Sequence, residues 1–473
     1  MIFNSVRFFP FLAVVLVAYY ALSKRWRWQN LVLLIASYVG YALWDWRFLG
    51  LLIAVTVVNY AAGWAIGRPG ERRKRLWLGL AIAFDLCVLG LFKYFNFFGS
   101  SLTSLLSQVG LTAGPLTLKL ILPLGLSFYI FEAITYPFDI YRGTLAPTKR
   151  PLDFALFVAF FPTVVSGPVE RASHMLPQFQ APRNVTSDKV SEGLWLVIWG
   201  FFQKMVIADN LGLIVDKVYG NYHQYHGLDI VIAILAFTVQ ILADFGGYTD
   251  IARGVARLLG FDLVLNFNVP YFAINPSDFW QRWHISLSSW FRDYVYIPLG
   301  GNRKGRIRTR INVFVTMVLC GLWHGAAWTF AVWGAWHGLL QVAYSLLGKG
   351  GRSTDRTIRS VDSILNIGSR TCLLVILVAC GWAVFRASSF SQVSYLFTHI
   401  GLDGSDTTAQ SLWRSFCFTA PLVVVQILQL RSSGFAFILD RSPWVRGMAI
   451  GLCGVGIAIF SPHQISRFIY QGF

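Results

Sequence analysis

Two histidines set in tryptophan-rich motifs are the residues of this chain best suited to chemistry. His284 stands in Phe279-Trp280-Gln281-Arg282-Trp283-His284-Ile285-Ser286, and His324, forty residues later, in Gly321-Leu322-Trp323-His324-Gly325. An imidazole among indoles and aliphatic groups is costly to hold as a cation, so each is expected to be neutral and able to accept a proton. General-base catalysis needs such a group, oriented by a second one and shielded from water, and typically contributes about 10²–10⁴-fold. Two histidines with no nearby carboxylate or thiolate make an incomplete zinc set, and no H-E-x-x-H run occurs, so no metal is expected. Taken alone, His284 reads as a core-facing histidine with a local hydrogen bond; the second motif shifts the reading to a reaction centre. A further Trp-His-Gly follows at Trp336-His337-Gly338. On a continuous helix His337 would point about 220° away from His324, so it is read as structural.

The elements that must position these residues follow from the spacing. Residues 277–296 read as one helix, with Ser277 as N-cap and Asp278 in its first turn. Trp280, Trp283, His284, Leu287, Trp290, Phe291 and Tyr294 recur at helical intervals. Such an amphipathic helix lies at the membrane interface or lines a cavity. Residues 311–347 fall between the basic stretches 303–310 and 352–359, so they are expected to enter the membrane and return. His324, fourteen residues in, is then about 20 Å from the cytoplasmic start. Gly321 and Gly325 permit a break or close packing there. Irregular backbone at that depth needs surrounding protein or a watery cavity, and a cavity is expected.

That these elements lie in a membrane follows from composition. The chain has 473 residues, 55% hydrophobic, 16% aromatic and only 13% charged, against about 25% charged in an ordinary soluble domain. Apolar runs recur from 8–22 to 448–460, which implies an all-α, polytopic helical membrane bundle of roughly ten to twelve spans, some entering part-way. The run 8–22 is expected to be a retained helix, since Ser23-Lys24-Arg25-Trp26-Arg27 follows it where a cleavage site would stand. The formal net charge of +18 collects in short stretches at 24–27, 68–75, 142–150, 303–310 and 352–359. That is the positive-inside pattern of cytoplasmic loops and lacks a soluble nucleic-acid module around it. Segments near 100–117 and 405–409 are poorly basic and read as external. The six cysteines are scattered without a C-x-x-C pair and read as buried, inert thiols. One domain over 1–473 is expected, with no long linker or internal repeat.

Asp85, Lys93, Glu132, Asp139, Lys204, Asp209, Asp244 and Asp250 lie in or beside apolar runs. Within a membrane each is a functional candidate, although helix–helix ion pairs and span ends explain such residues equally well. No G-x-S-x-G elbow, P-loop or dinucleotide fingerprint stands in a suitable context.

Read together, Leu122-Pro123-Leu124-Gly125-Leu126-Ser127-Phe128-Tyr129, Tyr141-Arg142-Gly143, Phe161-Pro162 with Ser166-Gly167-Pro168, and 244–252 form an ordered series. It continues through Asn266-Phe267-Asn268-Val269-Pro270-Tyr271, the 279–288 block, Phe291-Arg292-Asp293-Tyr294 with 297–302, and 321–328. The series resembles the membrane-bound O-acyltransferase superfamily, in particular its bacterial branch serving alginate O-acetylation, over a motif-bearing core of about 120–340. The resemblance implies a helical bundle with a central funnel, His324 as the essential histidine, and His284 as its polar partner. It further implies transfer of acetyl from a cytoplasmic thioester, with acetyl-CoA as donor substrate and no bound cofactor, across a bacterial inner membrane to an exopolysaccharide. A periplasmic serine-hydrolase-like acetyltransferase is the implied partner. A D-alanyl transferase of the teichoic-acid type is the rival enzyme, and a transporter the rival of another class, although no inverted repeat or paired broken helices appear.

Overall fold

The computed structural model describes every residue except 1, 2, 4, 6, 112, 113, 115, 116, 348–360, 433–437, 463–467 and 470–473, with backbone alone at 361–365. The basic stretch expected at 352–359 lies outside the described residues. Among the described residues the secondary structure is helical throughout, without strands. The residues group into two compact units, Met1–Val197 with Ile251–Val264, and Ile198–Asp250 with Leu265–Phe473.

The first unit carries α1 (Phe8–Ala21), α2 (Trp26–Asp45), α3 (Leu49–Ile66), α4 (Lys74–Leu89), α5 (Phe95–Gln108), α6 (Leu126–Arg142), α7 (Pro151–Ala159), α8 (Ala172–Phe179) and most of α9 (Ser187–Phe201). Its centre is α6, buried along nearly its whole length. Gly63 of α3 lets Tyr136 of α6 come close; a Cβ at Gly63 would lie 2.2 Å from the Tyr136 ring. That ring stacks on Tyr60 at 6.2 Å and tilts against Phe154 at 4.4 Å. Asp85, one of the buried acids, is held across α3 and α4 by Asn59, whose Nδ2 donates to both carboxylate oxygens at 3.1 and 3.0 Å. A buried carboxylate otherwise loses its hydration without replacement.

The second unit carries α10 (Asp209–Gly220), the larger part of α11 (Leu228–Leu258), α12 (Pro276–Trp280), α13 (Ile285–Phe291), α14 (Gly305–His324), α15 (Trp328–Leu346), α16 (Val361–Arg386), α17 (Phe390–Thr398), α18 (Thr408–Arg431) and α19 (Pro443–Phe460). Turns with i→i+5 hydrogen bonding (π-helical) occur at Gly90–Tyr94 in the first unit and at Phe202–Ala208 and Arg292–Tyr296 in the second. The ion-pair reading of the intramembrane charges holds for Lys204, whose Nζ lies 2.6 Å from Asp244 and 2.8 Å from Asp209. The two carboxylates are thus each paired with the Lys204 ammonium, and Asp244 also accepts a hydrogen bond from the Ile469 amide at 2.8 Å.

The expected in-and-out element is a helical hairpin, α14 turning through Gly325–Ala327 into α15. It starts earlier than the charge pattern suggested: Arg306, Arg308 and Arg310 belong to α14, not to a loop. His324 therefore ends a 20-residue helix, about 28 Å along its axis from Gly305. The 20 Å estimate counted only from residue 311, and His324 stands at the hairpin tip. The two arms meet backbone to backbone: a Cβ at Gly321 would lie 2.2 Å from the Phe330 carbonyl oxygen, and one at Gly334 2.3 Å from that of Met317. Small residues are the usual means of such contact between helices in lipid.

Seven stretches among the described residues are long and apolar enough to cross a membrane, one of them the 41-residue Trp26–Ile66 that holds both α2 and α3. The chain is a multi-pass membrane protein. The count is below ten to twelve partly because α14 and α15 carry arginine, histidine and glutamine, which lower their hydropathy. The thiols are also more varied than expected: Cys320 and Cys453 are buried, while Cys87, Cys372 and Cys417 are exposed on helices of spanning character.

Gly321→Val and Gly334→Val should each lower the thermal midpoint of the purified protein, since overpacking of this kind typically costs about 1–3 kcal/mol. Gly79→Val, where an added Cβ meets nothing within 4 Å, is the control. Midpoints equal across the three variants would refute the backbone contact.

Candidate active site

The helix expected over 277–296 is broken. The segment α12 ends at Trp280, residues 281–284 form turns, and α13 begins at Ile285. Its N-cap is Asn275, not Ser277: the Asn275 side chain accepts the Asp278 amide at 2.9 Å. The break places His284 in the left-handed region, φ 41° and ψ 55°, a conformation costing a non-glycine residue of order 1–3 kcal/mol.

The surroundings over-determine that conformation. Arg282 Nε donates to Asp278 at 2.6 Å, closing the turn from below. The loop before α12 is stitched to the residues either side of His284: Asn268 N–H donates to the Arg282 carbonyl and Ile285 N–H to that of Asn266, both at 2.9 Å. The Ser286 hydroxyl donates to Asn266 Oδ1 at 2.5 Å, and Asn266 Nδ2 reaches Thr249 at 3.3 Å. Asn266 and Ser286 are thus the positioning residues of His284. They carried a sequence signal, a polar Asn-Phe-Asn run among apolar neighbours, but spacing alone assigned it no role.

His284 and His324 come together. Their ring centroids are 6.1 Å apart, close enough for one oxygen atom held between them to hydrogen-bond to both. His284 is fully buried and His324 is 3% exposed. Phe245 of α11 meets the His284 ring edge-on at 4.6 Å, while Trp333 and Phe385 enclose His324 at 5.1 and 5.5 Å. Phe385, from α16, and Phe245 had no motif to flag them. His337 is not in this pair. It lies beyond Trp333 at 4.9 Å and against Trp280 at 5.2 Å, one aromatic layer away, because the break at Gly325 replaces the continuous helix assumed from sequence. Among the described residues the indole N–H of Trp283 and of Trp333 and the Nε2 of His337 are buried without a hydrogen-bond partner. Buried polar atoms are usually satisfied, so the cluster has spare capacity for a polar guest.

A space of about 410 Å³ lies between α12–α13 and α14, lined by Trp280, Ser288, Arg292, Tyr296, Thr316 and Cys320 among others, and neither His284 nor His324 lines it. Aromatic rings surround the two histidines. Trp280 lines this cavity and also meets the His337 ring edge-on at 5.2 Å.

His284→Asn should insert better than His284→Ala, because asparagine tolerates the left-handed conformation that His284 adopts. The amounts of folded protein recovered from membranes test this; equal recovery of the two variants would refute the backbone constraint at this position.

A family model described as MBOAT, membrane-bound O-acyltransferase family, matches residues 117–380. A probable alginate O-acetylase of Pseudomonas syringae pv. tomato is 43% identical over 400 residues, 84% of this chain and 74% of the relative. A peptidoglycan O-acetyltransferase of Helicobacter pylori is 32% identical over 85% of this chain and 83% of its own length. A teichoic acid D-alanyltransferase of Bacillus subtilis reaches 32% identity over 48% of this chain and 60% of that protein. The tryptophan–histidine blocks, the hairpin and the paired imidazoles all fall inside the matched region, and the chain is a membrane acyltransferase belonging to the membrane-bound O-acyltransferase family.

Proposed function

We propose that the protein is an O-acetyltransferase that serves acetylation of an exopolysaccharide, taking acetyl from a cytoplasmic thioester such as acetyl-CoA and passing it to a hydroxyl on the periplasmic side of a bacterial inner membrane. The observation that carries this reading is the enclosed pair of His284 and His324. Support for the acceptor class comes from the relatives named for alginate and peptidoglycan O-acetylation, which match over more of the chain than the D-alanyltransferase does.

In this reading the acceptor hydroxyl lies between the imidazoles. His324 accepts its proton as the oxygen attacks the thioester carbonyl, and the resulting imidazolium returns a proton to the departing thiolate; the C–O bond forms and the C–S bond breaks. His284, neutral and rigidly held, orients the hydroxyl or donates to the oxyanion. Preorganised donors of this kind act strongest where water is excluded. Entry of the acyl arm is assigned to the 410 Å³ cavity, with Trp280 as the ring that must swing aside. A periplasmic serine-hydrolase-like acetyltransferase receives the acetyl group before the polymer does.

His324→Ala should abolish ester-linked acetyl in the polymer made by a host lacking its own copy, at normal protein level. His284→Ala should reduce it by about 10²-fold or more, and His337→Ala should reduce it least, being a layer away. Polymer acetate at wild-type level in a well-expressed His324→Ala strain would end the assignment, and equal losses for all three would end the ranking. Topology is tested separately: a single cysteine at Lys304 should resist an impermeant thiol reagent in intact cells, and one at Ser405 should react. The reverse pattern would place the donor on the wrong side.

A further inference from the structure

A second site, in the first unit, is built where α2, α8 and the connection between α6 and α7 meet. It is a groove of about 470 Å³ lined by Trp26, Arg27, Lys149, Arg150, Leu176 and Pro177 among others. The groove is rigid, because the 145–150 connection is tied down from several directions. Thr148 is buried; its N–H donates to Tyr136 at 3.0 Å, its carbonyl accepts Tyr60 at 3.1 Å, and its hydroxyl accepts Gln180 Nε2 at 2.9 Å. Gly67 lets Pro147 pack closely, since a Cβ there would lie 2.4 Å from the proline ring.

The cations are arranged and not merely numerous. The Arg150 guanidinium lies over the Trp26 ring at 4.7 Å and 3.5 Å from Asp153, which fixes its plane. Arg27 approaches the same ring at 5.4 Å. Arg27 and Lys149 are exposed and have no carboxylate partner among the described residues. Trp26 is the first residue of the apolar stretch Trp26–Ile66, so its indole stands where tryptophans mark the membrane–water boundary. A positive rim above an apolar floor of Leu176 and Pro177, at the level of the lipid headgroups, has the chemistry of a phosphodiester with an acyl-glycerol tail. With guanidinium groups already against the Trp26 ring, a nucleobase has no clear face to stack on, which favours a lipid over a nucleotide.

We propose that this groove binds the headgroup of an anionic phospholipid, Arg27 and Lys149 contacting its phosphate and Arg150 with Trp26 forming the wall. The site is separate from the acyl-transfer reading and stands or falls without it. The full-length protein in detergent, incubated with phosphatidylglycerol or phosphatidylcholine and measured by native mass spectrometry, should retain the former only. Arg27→Gln with Lys149→Gln should weaken retention by on the order of tenfold or more, and Arg150→Lys should also weaken it although charge is kept. Arg306→Gln with Arg308→Gln removes the same charge from the exposed start of α14 and should leave retention unchanged. Equal loss from both double variants would reduce the effect to general basicity and overturn the proposal. Displacement of the lipid by adenosine 3′,5′-bisphosphate would overturn it too, by assigning the groove to a soluble phosphate. Unaltered thermal midpoints in the variants identify a binding effect.

Discussion

Contact between the backbones of α14 and α15 is the constraint on which the histidine pair depends. With hydrogen at Gly321 and Gly334 the two arms close to van der Waals distance, and the turn at Gly325 then delivers His324 to the hairpin tip beside Trp333. A Cβ at Gly325 would lie 2.1 Å from the Phe330 ring, so the tip is as tightly specified as the arms. Any wider spacing would move His324 relative to His284, and a displacement of about 1 Å can cost 10²-fold in rate. The hairpin works as a calliper whose closed position is set by three glycines.

Opposite that tip, His284 is held by a different device. Its position comes from backbone pairing between the Asn266–Asn268 run and the turn, with the Asn266 and Ser286 side chains completing the frame. The strained φ of 41° turns the imidazole out of the helical line and toward the hairpin. One histidine is thus positioned by helix packing and the other by a stitched loop. The two supports can fail independently.

How much of this was legible in the sequence depends on which physical signal each part carries. The helical class, the membrane setting and the hairpin could be read, because hydropathy and basic flanks report on solvent and those signals are local. His324 and His284 stood out for the same reason, as polar groups in aromatic runs. The break at 281–284 did not, because the amphipathic spacing continues through it and the stabilising partner, Asn266, is distant in sequence. Phe245 and Phe385 were equally hidden, since a phenylalanine in an apolar helix looks the same whether it faces lipid or a catalytic ring. His337 lies a layer away from the pair because of a helix break, not because of the rotation expected of a continuous helix. The start of α14 was missed because arginines mark a span boundary as readily as they occupy a first helical turn.

The π-helical turn at Arg292–Tyr296 has a meaning for lineage that its geometry alone does not announce. Such a turn is an α-helix carrying one residue too many, and functional sites often retain one. Deleting a single residue there would restore the ordinary register and rotate everything downstream by about 100°. Tyr296 would leave the cavity wall, and the Gly301 carbonyl would be drawn from Asn312, whose side chain donates to it at 2.9 Å. A one-residue gap at this point between otherwise alignable sequences is therefore a relocation of the cavity's wall and not a neutral change of loop length.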